Sequence, residues 1–196
     1  MKKIFPIICS IFLLSNLFGQ MSKGFGMTAG TQGAGIHFSG AWKLKENLYY
    51  GFEARYFDIK NENEIPVYNQ YTGQYINVGD KALILLPFFG TLSWLPFEGK
   101  IANNFSPFLQ LKGGPLLAID GNEEFRKFKD RWRKAPTITS YGAQIVIGVS
   151  FLQMGGAKIS PSIGFEFLPM GQKVDDEKRY DGTTINITWT FANSRR

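Results

Sequence analysis

Apolar and polar residues alternate along most of this chain, and residues 183–191 alternate most regularly. A period of two residues indicates a β-strand. The intervening positions are threonines and one asparagine, Asn186. A soluble sheet would turn such an apolar face inward, but a polar face opposite an apolar face that ends in aromatics also suits a membrane-barrel strand, with lipid outside and a lumen inside. The apolar face carries Ile185, Ile187, Trp189 and Phe191.

The same alternation predicts seven or eight strands in all. The count is eight if a tight turn at residues 31–33 divides the first segment, and seven if residues 24–42 form one strand. Residues 82–94 are apolar almost throughout, so the faces of that strand stay open. The predicted segments are 24–30, 34–42, 48–57, 82–94, 106–120, 140–151, 159–167 and 183–191.

The connections between these segments alternate between short and long after the first hairpin, and the long ones include a polar connection at residues 60–80 and a loop at residues 171–181. An even number of strands, with short turns at one end and longer loops at the other, characterises bacterial outer-membrane barrels. Glu53 and Arg55 would lie on the lumen face of their strand, where a soluble sandwich would have to bury them or expose an aromatic row. We therefore predict an all-β fold, a single eight-stranded antiparallel up-and-down transmembrane β-barrel.

Residues 1–20 have the features of a secretory signal peptide. Lys2 and Lys3 precede an apolar stretch at residues 4–14, and cleavage is expected near Gly19 or Gln20. The apolar stretch is too short for a transmembrane helix, which needs about 20 apolar residues. Residues 21–196 would form the outer-membrane β-barrel domain. Cys9, the only cysteine, lies in the leader, so the mature domain is expected to have no thiol.

Composition and charge narrow the class of partner. Aromatic residues make up 15% of the chain and charged residues 19%, which favours strands joined by tight turns. Removal of Lys2 and Lys3 with the leader lowers the formal charge from +6 to +4. This excess suits anionic lipid headgroups, and an exported chain is a poor candidate for nucleic-acid binding.

In its leader, its alternating strands and its final aromatic strand, the chain resembles small outer-membrane barrels of the OmpA, OmpX and OmpW type, a porin-like barrel domain. The resemblance covers about residues 21–191. It implies partners in outer-membrane lipid, lipopolysaccharide and the barrel-assembly machinery, which reads the terminal aromatic strand. Here residues 192–196 follow Phe191, so the insertion signal would be internal.

Polar side chains recur on the predicted lumen faces. An eight-stranded barrel is just wide enough for side chains to fill its interior. We therefore interpret these residues as a plug of hydrogen bonds and ion pairs, in preference to a conducting pore or a ligand site. They are Glu53, Arg55, Gln110, Lys112, Gln144, Glu166 and Asn186.

His37 and Ser39 form a His-x-Ser pair on one face of a predicted strand. The spacing is similar to that of outer-membrane lipid A deacylases, in which a histidine activates a serine nucleophile. Those enzymes need an acidic partner and carry the pair elsewhere in the chain. We therefore expect His37 to be polar lining of the lumen.

The charged connection at residues 123–134 is strongly basic and contains three interleaved aromatics. As a helix it could lie on the membrane surface and pair with lipopolysaccharide phosphates; as an external loop it could simply be solvated. Its basic residues are Arg126, Lys127, Lys129, Arg131, Arg133 and Lys134. No cofactor or metal site is predicted, because residues 120–123 are too short for a calcium loop.

These patterns predict a non-enzymatic protein with a structural or surface-interaction role in the outer membrane of a diderm bacterium. One alternative is a secreted, soluble, lipocalin-like barrel that binds an apolar ligand. The other is an outer-membrane lipid A-modifying enzyme that uses His37 and Ser39. The ligand and the oligomeric state stay open at this stage.

Overall fold

The computed structural model describes residues 21–59, 65–71, 73–78, 83–101, 104–121, 132, 135–174 and 177–191. Within these ranges the chain folds into twelve β-strands. They are β1 (Ser22–Gly30), β2 (Gly33–Lys45), β3 (Leu48–Ile59), β4 (Ile65–Asn69), β5 (Gln74–Val78), β6 (Leu83–Trp94), β7 (Phe105–Asp120), β8 (Thr137–Leu152), β9 (Lys158–Phe167), β10 (Pro169–Val174), β11 (Glu177–Arg179) and β12 (Gly182–Thr190).

Eight of these strands close into one antiparallel barrel. Around the barrel the order is β1, β2, β3, β6, β7, β8, β9 and β12, and β12 pairs with β1 to complete the circle. Each strand therefore lies beside its neighbour in the chain, as in an up-and-down barrel. This confirms the predicted eight-stranded antiparallel barrel. It also settles the strand count, since β1 and β2 form a hairpin across residues 31 and 32.

The two ends of the barrel differ. At one end, here named the turn end, β1 begins, β12 ends, and short turns join β2 to β3 and β8 to β9. Asn47 adopts a left-handed conformation, with φ of 64°, in the first of these turns, and asparagine tolerates that region better than most residues. At the opposite end, named the loop end, the longer connections leave the barrel.

Two of the longer connections contain strands that the sequence did not reveal. Residues 60–80 were expected to be a polar connection, yet β4 and β5 pair within them as a hairpin. Residues 171–181 were expected to be a loop, yet β10 and β11 form a second hairpin. Both hairpins belong to the loop end.

The structure shows why the faces of β6 could not be assigned from its sequence. Leu83, Ile84 and Leu85 are all buried, which explains why no polar alternation appears in this stretch. Ladder pairing to β7 runs up to Pro87 and resumes at Gly90. A proline has no backbone N–H to donate to the ladder, so a local irregularity is expected there.

The outer surface of the barrel is apolar. On β12, Ile185, Ile187 and Trp189 point outward and are 60%, 47% and 52% exposed. Outward residues of the other barrel strands continue the surface, among them Met27, Ile36, Phe38, Leu111, Ile145, Ile147, Ile163 and Phe165. Within the described ranges, no helix is long and apolar enough to cross a membrane.

Candidate functional site in the barrel lumen

The middle of the lumen holds a buried ion-pair cluster centred on Arg55 of β3. Its guanidinium donates to Glu53 Oε1 and to Gln144 Oε1, each at 2.9 Å, and forms an ion pair with Glu166. On the other side of Glu53, the ammonium of Lys112 lies 2.6 Å from Oε2. Arg55 is 3% exposed and Glu53 4%, so the cluster is shielded from solvent.

The cluster brings together residues that are far apart in the sequence. These side chains meet because every second residue of each barrel strand faces the lumen. Glu53 and Arg55 are two positions apart on β3, while Lys112, Gln144 and Glu166 come from β7, β8 and β9. Two acids and two bases meet, so the formal charges of these four groups cancel.

Hydrogen bonds extend the cluster towards β12. The amide of Gln144 donates to the hydroxyl of Thr184 at 2.9 Å, and Asn186 Nδ2 lies 3.4 Å from the same hydroxyl. Thr28 of β1 donates to Asn186 Oδ1 at 2.8 Å. Through these bonds, polar side chains of two more strands, β12 and β1, are connected to Arg55.

The chain of bonds ends at His37 of β2. Its Nδ1 lies 3.1 Å from the hydroxyl of Thr28, and its Nε2 lies 2.9 Å from the hydroxyl of Thr188. The ring packs over Gly26, where a Cβ atom would overlap both the imidazole and the carbonyl oxygen of Ile187. Only glycine leaves room for the histidine at this point.

We name this set the lumen network, and it connects seven of the eight barrel strands. Its members are Thr28, His37, Glu53, Arg55, Lys112, Gln144, Glu166, Thr184, Asn186 and Thr188. Buried polar groups are costly unless they are bonded, and most of the polar atoms here have partners. The Nε of Arg55 has none among the described residues, while the guanidinium lies 5.9 and 5.8 Å from the ring centroids of Phe57 and Phe89.

An apolar cluster fills the loop end above the lumen network. The sequence had predicted a plug of hydrogen bonds and ion pairs, and the structure adds this second, apolar layer. Residues of the β10–β11 hairpin fold into it, and Tyr180 donates its hydroxyl to the carbonyl of Val174 at 2.7 Å. The cluster comprises Phe57, Ile59, Leu83, Leu85, Phe89, Leu116, Ala118, Ile138, Leu168, Met170, Val174 and Tyr180.

Below the lumen network, a cavity of about 310 Å³ opens at the turn end. Hydroxyl-bearing side chains line much of it, including Ser39, Ser93, Ser150 and Ser160. Glu53 forms part of its inner wall. The lumen therefore has three layers: an open polar cavity, a buried polar network and an apolar cluster.

Of the seven polar residues that the sequence placed on lumen faces, the structure brings six into the lumen network. Gln110 lies apart from them, because its amide donates to Ser93 at 2.9 Å beside the turn-end cavity. The threonines at positions 28, 184 and 188 were not singled out from the sequence. Their position on the lumen faces of β1 and β12 was the available signal.

The geometry around His37 does not favour the enzymatic alternative. Threonine hydroxyls engage both of its ring nitrogens, so neither nitrogen is free to take a proton from Ser39. Ser39 instead lines the turn-end cavity. Within the described ranges, no group of three or more histidine, cysteine, aspartate or glutamate side chains could hold a metal ion.

The structure describes the predicted insertion-signal strand but neither the basic connection nor the leader. The outward residues of β12 are exposed, and the backbone N–H of Phe191 donates to Lys23 O at 2.9 Å, which extends the pairing with β1. The basic residues Arg126, Lys127, Lys129, Arg131, Arg133 and Lys134 lie outside the described residues, as does the predicted leader at residues 1–20.

The fold is similar to those of several solved bacterial surface and barrel proteins. Neisserial surface protein A is 10% identical, with a TM-score of 0.60 over 88% of this chain and 96% of that chain. The N-terminal barrel domain of Pseudomonas aeruginosa OprF (9% identity; 87% and 97% coverage) and Yersinia pestis Ail (11%; 87% and 91%) score 0.45 and 0.40. No family model and no curated protein matches the sequence. The likeness to the Neisserial protein supports the barrel fold.

Proposed function

We propose that this chain is a non-enzymatic outer-membrane β-barrel with a closed lumen, which holds its loops at the cell surface for a structural or interaction role. The observation that carries the proposal is the apolar outer face of a closed barrel. A bilayer contains no water to bond an exposed strand edge, and closure of β1 onto β12 removes the edge. The leader-like residues 1–20 support export.

The outer face argues against the soluble, lipocalin-like alternative. A soluble barrel would turn its apolar residues inward to hold an apolar ligand. Here the outward residues Met27, Ile147 and Ile163 are 64%, 67% and 60% exposed, while charged residues occupy the interior. Exposed apolar surface of this extent marks contact with a membrane or a partner.

The filled lumen supports a structural role over transport. The lumen network and the apolar cluster occupy successive layers of a barrel with little spare width. At the loop end, the β4–β5 hairpin presents Tyr68 and Tyr75, with ring centroids 5.3 Å apart, and both side chains are exposed. Such a surface suits contact with other molecules outside the cell.

The expected partners follow from the same placement. Lipid would surround the apolar face, and lipopolysaccharide phosphates would pair with the basic residues 126–134, whose charge comes from the sequence alone. The barrel-assembly machinery would read the outward face of β12.

Cell fractionation followed by electrophoresis tests the proposal. A closed membrane barrel resists detergent until heated, so we expect a compact band from isolated outer membranes that shifts on boiling. The same samples are run from the soluble periplasmic fraction as a control. Recovery of the protein in that fraction without a shift would overturn the membrane assignment and favour the lipocalin-like barrel.

A further inference from the structure

We propose that the turn-end cavity is a binding site for a neutral, polyhydroxylated small molecule of the size of a mono- or disaccharide. The cavity measures about 310 Å³, which is at the lower limit of the ~300–1,000 Å³ range typical of ligand pockets. It is open on one side and closed on the other by the lumen network. A small ligand could therefore enter from the turn end and stop at Glu53.

The lining matches the chemistry of a sugar. Half of the lining residues carry a hydroxyl group, and each hydroxyl can both donate and accept a hydrogen bond. Ser160 donates to Ser150 at 3.1 Å, and Gln110 donates to Ser93 at 2.9 Å, so these groups retain further bonding capacity. A ligand with many hydroxyls could replace water on several of them at once.

Apolar surface accompanies the hydroxyls. The rings of Phe108 and Tyr49 and the side chain of Leu95 line the same cavity. The hydroxyl of Tyr49 donates to Glu98, which holds the ring at the rim. Sugar rings have apolar C–H faces and a polar edge, so a site that combines aromatic faces with hydroxyls complements both.

The charges of the lining favour a neutral ligand. Glu53 is paired with Arg55 and Lys112, and Lys158 lies 3.5 Å from Glu98 at the rim. Both charged residues that the structure describes in the cavity lining thus already have ion-pair partners. A charged ligand would lose hydration on entry without gaining a free countercharge.

The site itself does not depend on where the barrel resides. Only the statement that the ligand enters from the periplasm rests on the proposed function, because the turn end of an outer-membrane barrel faces that compartment. The binding test below uses purified protein, so its failure and the failure of the membrane assignment are distinguishable.

The test is calorimetric titration of the protein refolded in lauryldimethylamine oxide, a detergent without a sugar headgroup. The probes are glucose, N-acetylglucosamine, maltose and cellobiose, with glucose 6-phosphate as the charged comparison. We expect saturable binding of at least one neutral sugar and weaker binding of the phosphate. In the wild-type protein, amide chemical-shift changes should cluster at the turn end.

Two variants and a matched control locate the site. Ser150→Ala with Ser160→Ala removes a bonded hydroxyl pair from the cavity and should weaken binding about tenfold. Ser93→Leu should abolish binding by filling the space. Thr139→Ala with Thr183→Ala removes two hydroxyls from the exposed outer face and should leave binding unchanged. A band shift on boiling verifies that each variant folds.

Three results would overturn the proposal. One is the absence of saturable binding to the wild-type protein by any of the four neutral sugars. Another is equal binding by the wild-type protein and both cavity variants, which would place the ligand elsewhere. The third is binding of glucose 6-phosphate as tight as that of glucose, which would contradict the neutral character of the site.

Discussion

At the scale of single residues, Arg55 is the centre of the buried ion-pair cluster in the lumen. It contacts Glu53, Glu166 and Gln144, and it is almost wholly buried. The attraction within such a cluster is offset by the loss of hydration, so the whole cluster need not add stability over an apolar filling. Removal of one member is different, because it leaves a buried charge without its partner.

Replacement of Arg55 by methionine should therefore destabilise the barrel strongly. Breaking a buried ion pair from one side costs about 3–5 kcal/mol. Glu53 would keep Lys112, while Glu166 would lose its guanidinium partner. The free energy of unfolding, measured by urea titration in lipid vesicles, should fall by roughly this amount.

The double variant Arg55→Met with Glu166→Gln is the control for this prediction. A neutral amide at position 166 removes the stranded carboxylate, so part of the lost stability should return. If Arg55→Met unfolded at the same urea concentration as the wild-type protein, the ion pairs would not be buried as the structure places them.

Gly26 allows a second prediction at this scale. A Cβ atom there would overlap the ring of His37 and the carbonyl oxygen of Ile187, so Gly26→Ala should cost about 1–3 kcal/mol. Gly90→Ala is the matched control, since the nearest atom to its Cβ would be the carbonyl oxygen of Gly113 at 3.6 Å. Urea unfolding of the two variants measures the difference.

The variant Gly26→Ala with His37→Ala separates the two contacts. Because the carbonyl oxygen of Ile187 belongs to the backbone, removal of the imidazole should not restore the wild-type stability. Full recovery would show that the histidine alone requires a glycine at this position.

At the scale of elements, the two faces of a strand could be assigned from the sequence where the lumen face is polar. They could not be assigned where the lumen face is apolar. In β12 the two faces differ in polarity at every step from Thr184 onward, so the sequence assigns them correctly. In β6 the lumen face near the loop end packs against the apolar cluster, so Leu83 and Leu85 are as apolar as the residues outside. Alternation of polarity disappears wherever both environments are apolar.

The same reasoning explains the hairpins at the loop end. Residues 171–181 were expected to be a loop that leads into the final strand. Met170 and Val174 nevertheless face the apolar cluster, and that contact is visible only once the barrel brings β9 and β12 together. Long-range packing of this kind leaves no local signal.

Strand β12 supports a prediction about assembly. If its outward aromatic face is the signal read by the assembly machinery, Phe191→Ala should lower the amount of heat-modifiable protein in outer membranes several-fold. Refolding of purified protein into lipid vesicles should change little, because Phe191 is 57% exposed and lies just beyond the end of β12. The comparison of the two measurements separates recognition from stability.

Phe165→Ala is the matched control for Phe191→Ala. Phe165 is an outward aromatic of β9 and is 49% exposed. Its loss should affect assembly in cells and refolding in vesicles alike, and only slightly. Equal assembly defects in the two variants would argue against a signal specific to β12.

At the scale of the whole molecule, the lumen is closed by two layers of opposite polarity. The polar residues were predictable one by one, since each lies on a lumen face. Their connection was not, because the bond from Arg55 to Glu166 joins residues 111 positions apart. The turn-end cavity could not be predicted from the sequence either, since its lining comes from the ends of many strands.

Two layers of closure predict that the barrel does not conduct ions. In planar lipid bilayers we expect no stable single-channel openings from the wild-type protein, whereas a porin in the same bilayers should conduct. The variant Arg55→Met with Glu166→Gln should also stay closed, because the apolar cluster at the loop end does not depend on those charges. If that variant conducted while the wild-type protein did not, the lumen network alone would be the barrier to ions. Openings of the wild-type protein would contradict the closed lumen.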